Sequence, residues 1–409
     1  MAESRIKLPK LKSVVVFRLP YLRHLKYRAK NAWIKHRWRS YYRKEILRFF
    51  NQALDFDPIE FALRARQRPS DCLIEINNTC NLRCPMCSTN LSKREKKNMD
   101  LGTYRRVLER VKEAGINIVS LYTVGEPLVY PWLEEAVSIA KNMGIRIGIS
   151  TNANLVERLK NLYASNPEWI ESFGFSVDGA TPQTYEKMRR GGELKKVMES
   201  CEWILRVNKH RHMSRIALSI TCVISKDNIR EIATFMHRFS KYTFPECIHF
   251  MLVNSLSPDT TYFDERSLSF SNLYRLNVPC HISVFNRIYV NNEGQVTLCC
   301  RDYENKLVIG DVLIQPLLAV WRSEQADKIR RQHLGKKDLT IAECKKCYFP
   351  KPGLDELLNS YIHYLQYVEN DFDDTIWCNK ILDFLRDLNA QLGDSEKREE
   401  RIKKVLSHL

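Results

Sequence analysis

The chain has 409 residues, 44% hydrophobic and 28% charged, with 65 Lys and Arg against 48 Asp and Glu for a net charge of +17. That content suits a globular protein with more than one core and excludes a disordered or fibrous chain. Its 13 cysteines, odd in number and concentrated in two clusters, exclude an extracellular disulfide framework and point to metal or redox chemistry in a reducing compartment, so a cytoplasmic location is expected.

The charge is unevenly spread. Residues 1–68 hold 18 Lys and Arg against 5 Asp and Glu, so this prefix carries +13 of the +17. Its longest apolar run, Ser13 to Phe17, is too short for a signal-peptide core or a membrane span. Trp38, Tyr41, Tyr42, Ile46, Phe49, Phe50, Ala53 and Leu54 recur at helical spacing, with Arg37, Arg39, Arg43, Lys44 and Arg48 on other sides, which predicts an amphipathic basic helix. Two readings follow: the stripe packs on the main domain and the charges stay solvated, or the helix docks peripherally on a membrane surface or another anionic partner. Nucleic acid is not the expected partner.

From about residue 70, short apolar runs alternate with helical patterns, the signature of βα units and a parallel sheet. Strands are predicted at Cys72 to Asn77, Asn117 to Val124, Ile145 to Ser150, Ile170 to Val177, Ile216 to Ile224 and Cys247 to Val253, with helices near 99–114, 131–143, 154–164, 181–209 and 228–241. The fold class is therefore α/β, a partial six-stranded (β/α) barrel over 69–253. Such barrels gather functional groups where the βα loops leave the strands. The polar stretch Asn254 to Pro279 opens a second, smaller unit, 254–353, in which Asn291-Asn292-Glu293-Gly294 turns between two short strand patterns. From residue 354 an apolar stripe from Leu354 to Val368 predicts helices that pack back on the body, up to residue 409.

Residues 79–89 read TCNLRCPMCST and place Cys80, Cys84 and Cys87 on the loop after the first strand. Thiolates suit iron-sulfur clusters, zinc or copper(I). Zinc modules usually pair two knuckles, whereas three thiolates on one loop hold three irons of a [4Fe-4S] cluster and leave the fourth open. The CxxxCxxC spacing resembles the signature of radical S-adenosylmethionine (SAM) enzymes. The resemblance implies that the fourth iron chelates SAM and that reductive cleavage yields a 5′-deoxyadenosyl radical, with flavodoxin or ferredoxin as electron donor. It also implies SAM contacts from Gly125 and Glu126 after strand two, Ser150 and Asn152 at strand three, Ser176 and Asp178 at strand four, and Met86 where an aromatic often packs on adenine.

A second set comprises Cys280, Cys299, Cys300, Cys344 and Cys347. It resembles the auxiliary-cluster extension of SPASM and twitch-type members, with Cys280, Cys299, Cys344 and Cys347 as ligands of a second [4Fe-4S] cluster; a four-cysteine zinc site is the alternative. Neighbours on a strand face opposite ways, so only one of Cys299 and Cys300 easily meets the metal, and the glycine spacing from Gly294 selects Cys299. Cys72, Cys201, Cys222, Cys247 and Cys378 read as buried small hydrophobes. His249, His281, Arg189 and Arg190 are given no role.

The resemblance spans about residues 70–350 and implies hydrogen-atom abstraction. An auxiliary cluster fully ligated by cysteine favours electron transfer, hence oxidation (dehydrogenation) or epimerisation of a small-molecule sugar, cyclitol or glycan precursor. A ribosomal peptide-modifying maturase is the alternative, and a non-catalytic metal-binding protein docking on a membrane or nucleic acid is a third reading. No catalytic side chain is singled out.

Overall fold

The computed structural model describes Lys44 and residues 67–166, 168–210, 217–254, 261–274, 281–334, 340–345, 347–348, 354–369 and 372–393. The basic helix expected within residues 1–68 lies outside them save for Lys44, Gln67 and Arg68, and Cys280 lies outside as well.

Six parallel strands lead: β1 (Asp71–Ile74), β2 (Ile118–Leu121), β3 (Arg146–Thr151), β4 (Ile170–Ser176), β5 (Ala217–Ile224) and β6 (Ile248–Leu252). Helices alternate with them: α1 (Leu101–Glu113), α2 (Leu133–Asn142), α3 (Val156–Ser165), α4 (Pro182–Met188), α5 (Leu194–His210) and α6 (Ile232–Phe239). The single helix expected over 181–209 is two, because the chain breaks at Gly191 with φ +90°, a conformation that L side chains rarely adopt. Further on come α7 (Thr261–Arg266), α8 (His281–Asn286), β7 (Arg287–Val290), β8 (Gln295–Thr297), β9 (Val308–Asp311), α9 (Leu317–Trp321), α10 (Glu324–Leu334), α11 (Ala342–Lys345), α12 (Leu354–Val368) and α13 (Asp374–Gly393).

Among the described residues, the nine strands form one sheet, in the order β6-β5-β4-β3-β2-β1-β7-β8-β9. The turn expected near 291–294 does join two strands, but β7 also runs parallel to β1, Asp71 opposite Arg287 through Ile74 opposite Val290. The second unit thus continues the core's own sheet. The barrel stays open, as a partial barrel should. At its β6 edge, Asn359 of α12 accepts from the Phe250 N–H at 2.6 Å and donates to the Phe250 carbonyl at 2.8 Å, while His363 Nε2 stands 3.1 Å from the Ile248 carbonyl. Side chains of the helix thereby satisfy a strand edge that would otherwise recruit another strand.

Leu218, Ile220, Cys222 and Ile224 of β5, with Phe173 and Phe175 of β4, are buried against the helices. The opposite face is different. There Gly148 lies opposite Ser120 and Ser172, Gly174 opposite Ser150 and Ser219, and Ser176 and His249 each opposite Thr221. Where a closed barrel fills its interior with bulky branched side chains, this concave face carries small hydroxyl residues that stay half-buried. Space is left above them.

Candidate active site

The loops at the C-terminal ends of β1 to β4 meet in a cleft of about 620 Å³. Its walls hold Cys80, Cys84 and Cys87, together with Gly125, Glu126, Ser150, Asn152, Ser176 and Arg189. The cysteine loop is fastened to each neighbouring loop in turn. Thr89 Oγ1 donates to the Val124 carbonyl after β2, Asn152 Nδ2 after β3 donates to Asn81 Oδ1 at 2.9 Å, and the Arg83 N–H donates to the Arg190 carbonyl after α4 at 2.8 Å. Within the loop, the Leu82 N–H points at Cys80 Sγ at 3.4 Å.

Glu126 is buried, and every hydrogen bond of its carboxylate is internal. It accepts from Thr151 Oγ1 at 2.6 Å, from the Asn152 N–H at 2.8 Å and from the Leu128 N–H at 3.1 Å, joining the loops after β2 and β3. Burial pushes its pKa up and these three bonds pull it down. The residue shapes the cleft wall. Gly125 is needed for a different reason: a Cβ there would lie 2.3 Å from the Asn77 carbonyl oxygen, so only glycine lets the loop after β2 approach the chain leaving β1. Next to Asn152, buried Ala153 holds φ +58°, a strained conformation kept by its N–H donating to Thr151 Oγ1 and its carbonyl accepting from Ser200.

Asp178 and Met86 are not among the side chains that line the cleft. Asp178 is fully buried beneath it, with Oδ2 2.5 Å from Arg189 Nε and Oδ1 accepting from the Val223 N–H at 2.8 Å. Met86 is half-buried and packs on the core. Arg189, to which the sequence assigned nothing, is instead in the wall, its Nη1 3.9 Å from Cys84 Sγ. Burial works against its charge, but the Asp178 carboxylate and Cys84 outweigh it and raise the guanidinium pKa. Asp178 thus acts through Arg189.

A second cavity of about 260 Å³ shares Thr123 and Val124 with the cleft and is lined by Cys299, Cys300, Glu75, Asp302 and Tyr303 among others. Both adjacent cysteines reach it. Beside this second cavity, Arg94 grips Glu75 with Nη2 to Oε1 at 2.7 Å and Nη1 to Oε2 at 3.1 Å, then donates to Asn292 Oδ1 at 2.8 Å and to the Tyr303 carbonyl at 3.2 Å. One guanidinium, a few residues past the cysteine loop, thereby joins β1 to the β7–β8 turn and the loop after Cys299. Cys344 and Cys347 flank the end of α11, the Cys347 N–H donating to the Cys344 carbonyl at 3.2 Å, and buried His333 Nε2 lies 3.7 Å from Cys344 Sγ.

The family model of the radical SAM superfamily matches residues 74–239. The chain carries a radical SAM domain. Residues 280–348 match the SPASM iron-sulfur cluster-binding domain, which contains all four expected auxiliary cysteines. The GTP 3′,8-cyclase of Alkaliphilus metalliredigens is 29% identical over 167 residues, 39% of this chain and 50% of the relative. The tungsten-containing aldehyde ferredoxin oxidoreductase cofactor-modifying protein of Pyrococcus furiosus is 27% identical over 193 residues, 46% of this chain and 51% of the relative. The chain thus spans about half the length of these curated relatives. In fold it is similar to Streptococcus suis SuiB, solved with its precursor peptide SuiA: TM-score 0.52, 15% identity, 77% of this chain and 76% of that one.

The cofactors of this family are a [4Fe-4S] cluster and SAM, with further iron-sulfur in the SPASM domain, and the cleft fits the first two. Its donors are three soft thiols from one loop, and polar side chains from the loops after β2, β3 and β4 face them across the cleft. Burial pushes the Cys80 thiol up to about 12 and raises Cys84, so holding them as thiolates calls for positive charge beside them, which irons supply. Among the described residues no three His, Cys, Asp or Glu side chains close around a single ion. A four-iron cluster spreads its thiolates more widely than one ion does.

Proposed function

We propose that this chain is a radical SAM enzyme that oxidises or epimerises a hydroxyl-bearing carbon of a sugar, cyclitol or glycan precursor. When bound, the cluster and SAM supply a 5′-deoxyadenosyl radical that takes a hydrogen atom from substrate. The chain's own residues hold and orient the reactants. Cys80, Cys84 and Cys87 would ligate three irons, leaving one position open. Arg189, fixed by Asp178, offers the cleft a cation for the carboxylate of SAM, and Asn152, Ser150 and Ser176 offer polar groups beside it. Glu126 and Gly125 set the spacing of the walls.

The observation that carries the substrate class is the concave sheet face. Ser120, Ser150, Ser172, Ser176, Ser219 and Thr221 present hydroxyls that both donate and accept, at positions too small to fill the interior. A polyol matches such a surface. Cys280, Cys299, Cys344 and Cys347 would hold a second cluster able to accept one electron, which favours oxidation over simple hydrogen return. Flavodoxin or ferredoxin is the electron donor expected to start the cycle, and the basic residues 1–68 are read as a peripheral contact for an anionic surface.

SuiB, solved with a precursor peptide, supports a second reading, a peptide maturase. The two part in one experiment. Anaerobically reconstituted protein is supplied with SAM, dithionite and, separately, carbon-deuterated myo-inositol, nucleotide sugars and short peptides. Deuterium in 5′-deoxyadenosine from the polyols supports the first reading, and deuterium from the peptides alone overturns it.

A further inference from the structure

His249 is unused by everything above. It lies on β6, directly opposite Thr221 of β5, which is itself opposite Ser176 of β4. Neighbouring strands stand about 4.8 Å apart, so the His249 backbone is roughly 10 Å from that of Ser176, a cleft residue. Alternation sends Ile248, Phe250 and Leu252 into the helix layer, where they are buried, and His249 to the concave hydroxyl face, where it is exposed. Among the described residues of β1 to β6 it is the imidazole on that face.

We infer that His249 is the proton acceptor for the substrate hydroxyl. The inference rests on the polyol reading above. Once a hydrogen atom has left a carbinol carbon, forming the carbonyl requires the O–H proton and one electron to leave. The proton goes to His249, the electron goes to an iron-sulfur acceptor, and the C–O bond becomes C=O. Atoms and charge balance. A base for this step must be neutral at working pH and within reach of a hydroxyl on the concave face. Although the residue keeps access to solvent, partial desolvation of its ring lowers the His249 pKa from its ordinary 6.5 and favours the neutral form at pH 7. From the packing elements, His363 of α12, whose pKa burial also lowers, senses both His249 and Glu246, which lies just before β6. Thr221 and Ser176 on its own face do not titrate. Glutamine keeps the size and hydrogen bonding of histidine but accepts no proton at these pH values.

The test uses full-length reconstituted protein, carbon-deuterated myo-inositol as probe, and two measurements. In His249→Gln, deuterium transfer to 5′-deoxyadenosine should persist while keto-inositol falls on the order of a hundredfold, and the acidic limb of the wild-type pH profile should disappear. In His249→Ala, added imidazole should restore part of the yield. By histidine NMR, the His249 resonance should titrate below 6.5 and shift with myo-inositol, while that of His237, on α6, should not move. Unchanged keto product and pH profile in His249→Gln overturns the inference, as does a His249 resonance blind to myo-inositol. A wild type that gives no deuterated 5′-deoxyadenosine with polyols overturns the substrate reading instead, and the NMR arm still decides whether His249 meets a polyol.

Discussion

Arg189 Nε lies 2.5 Å from Asp178 Oδ2, and the carboxylate it meets has no exposed surface. The pair links the end of β4 to the loop after α4 and carries the guanidinium into the cleft. Breaking a buried pair leaves one charge uncompensated, typically at a cost of about 3–5 kcal/mol. Asp178→Asn should therefore lower the urea midpoint and weaken SAM binding at least tenfold, with Arg189→Met weakening SAM binding more than it lowers stability. Equilibrium denaturation beside SAM titration of the reconstituted protein checks both.

Gly125→Ala adds one carbon against the Asn77 carbonyl at 2.3 Å, backbone against backbone. No rotamer relieves it. A loss of roughly 2–4 kcal/mol is expected, in the range of forced overpacking and backbone strain, together with poorer iron retention, because the displaced loop runs into the cysteines. Asn77→Ala at the same contact should not rescue it, since the clash is with the main chain.

Much of this architecture is legible in the sequence, and the limits have physical causes. Parallel strands buried on one face write a local apolar pattern, so all six core strands and the rim loops holding Cys80, Glu126, Asn152 and Ser176 are predicted near their observed places. Pairings between distant segments write none. Nothing near Asp71 or Arg287 announces that β7 joins β1 across more than 200 residues. Arg189 is given no role from the sequence because its partner lies 11 residues upstream, across a helix. Arg94 sits in the run Lys93-Arg94-Glu95-Lys96-Lys97, which looks like a solvated face, yet it is mostly buried on Glu75.

That buried fork supports a third prediction. Arg94→Lys keeps the charge but cannot make the two-pronged grip on Glu75 together with the bonds to Asn292 and Tyr303. Amides of residues 291–305 should exchange roughly tenfold faster in the variant, with β3 to β5 unchanged. The electron paramagnetic resonance signal of the auxiliary site should change while the SAM-dependent signal stays. Exchange and spectra matching the wild type would mean that the grip does not hold the lining of the second cavity in place.

Asp355, at the start of α12, has its carboxyl pushed up to about 7 by burial and by Glu356, against the pull of Arg301. The folded value lies above the unfolded 3.8, so between these two values the folded state holds the proton more tightly. Its contribution to stability is present below about pH 4 and is lost as pH rises through 7. Asp355→Asn should flatten this slope, raising the thermal midpoint by several degrees at pH 8 and leaving it nearly unchanged at pH 4.5. Calorimetry across pH 4.5–8 on both proteins reads the difference directly.

The central claim is that Cys80, Cys84 and Cys87 hold a cluster at which SAM is cleaved. Iron, sulfide and zinc are measured on anaerobically reconstituted protein, and 5′-deoxyadenosine is measured after adding SAM and dithionite. The account predicts about eight irons, two [4Fe-4S] clusters' worth, with 5′-deoxyadenosine that vanishes when the three cysteines become alanine. Zinc without iron, and no SAM cleavage, would contradict it.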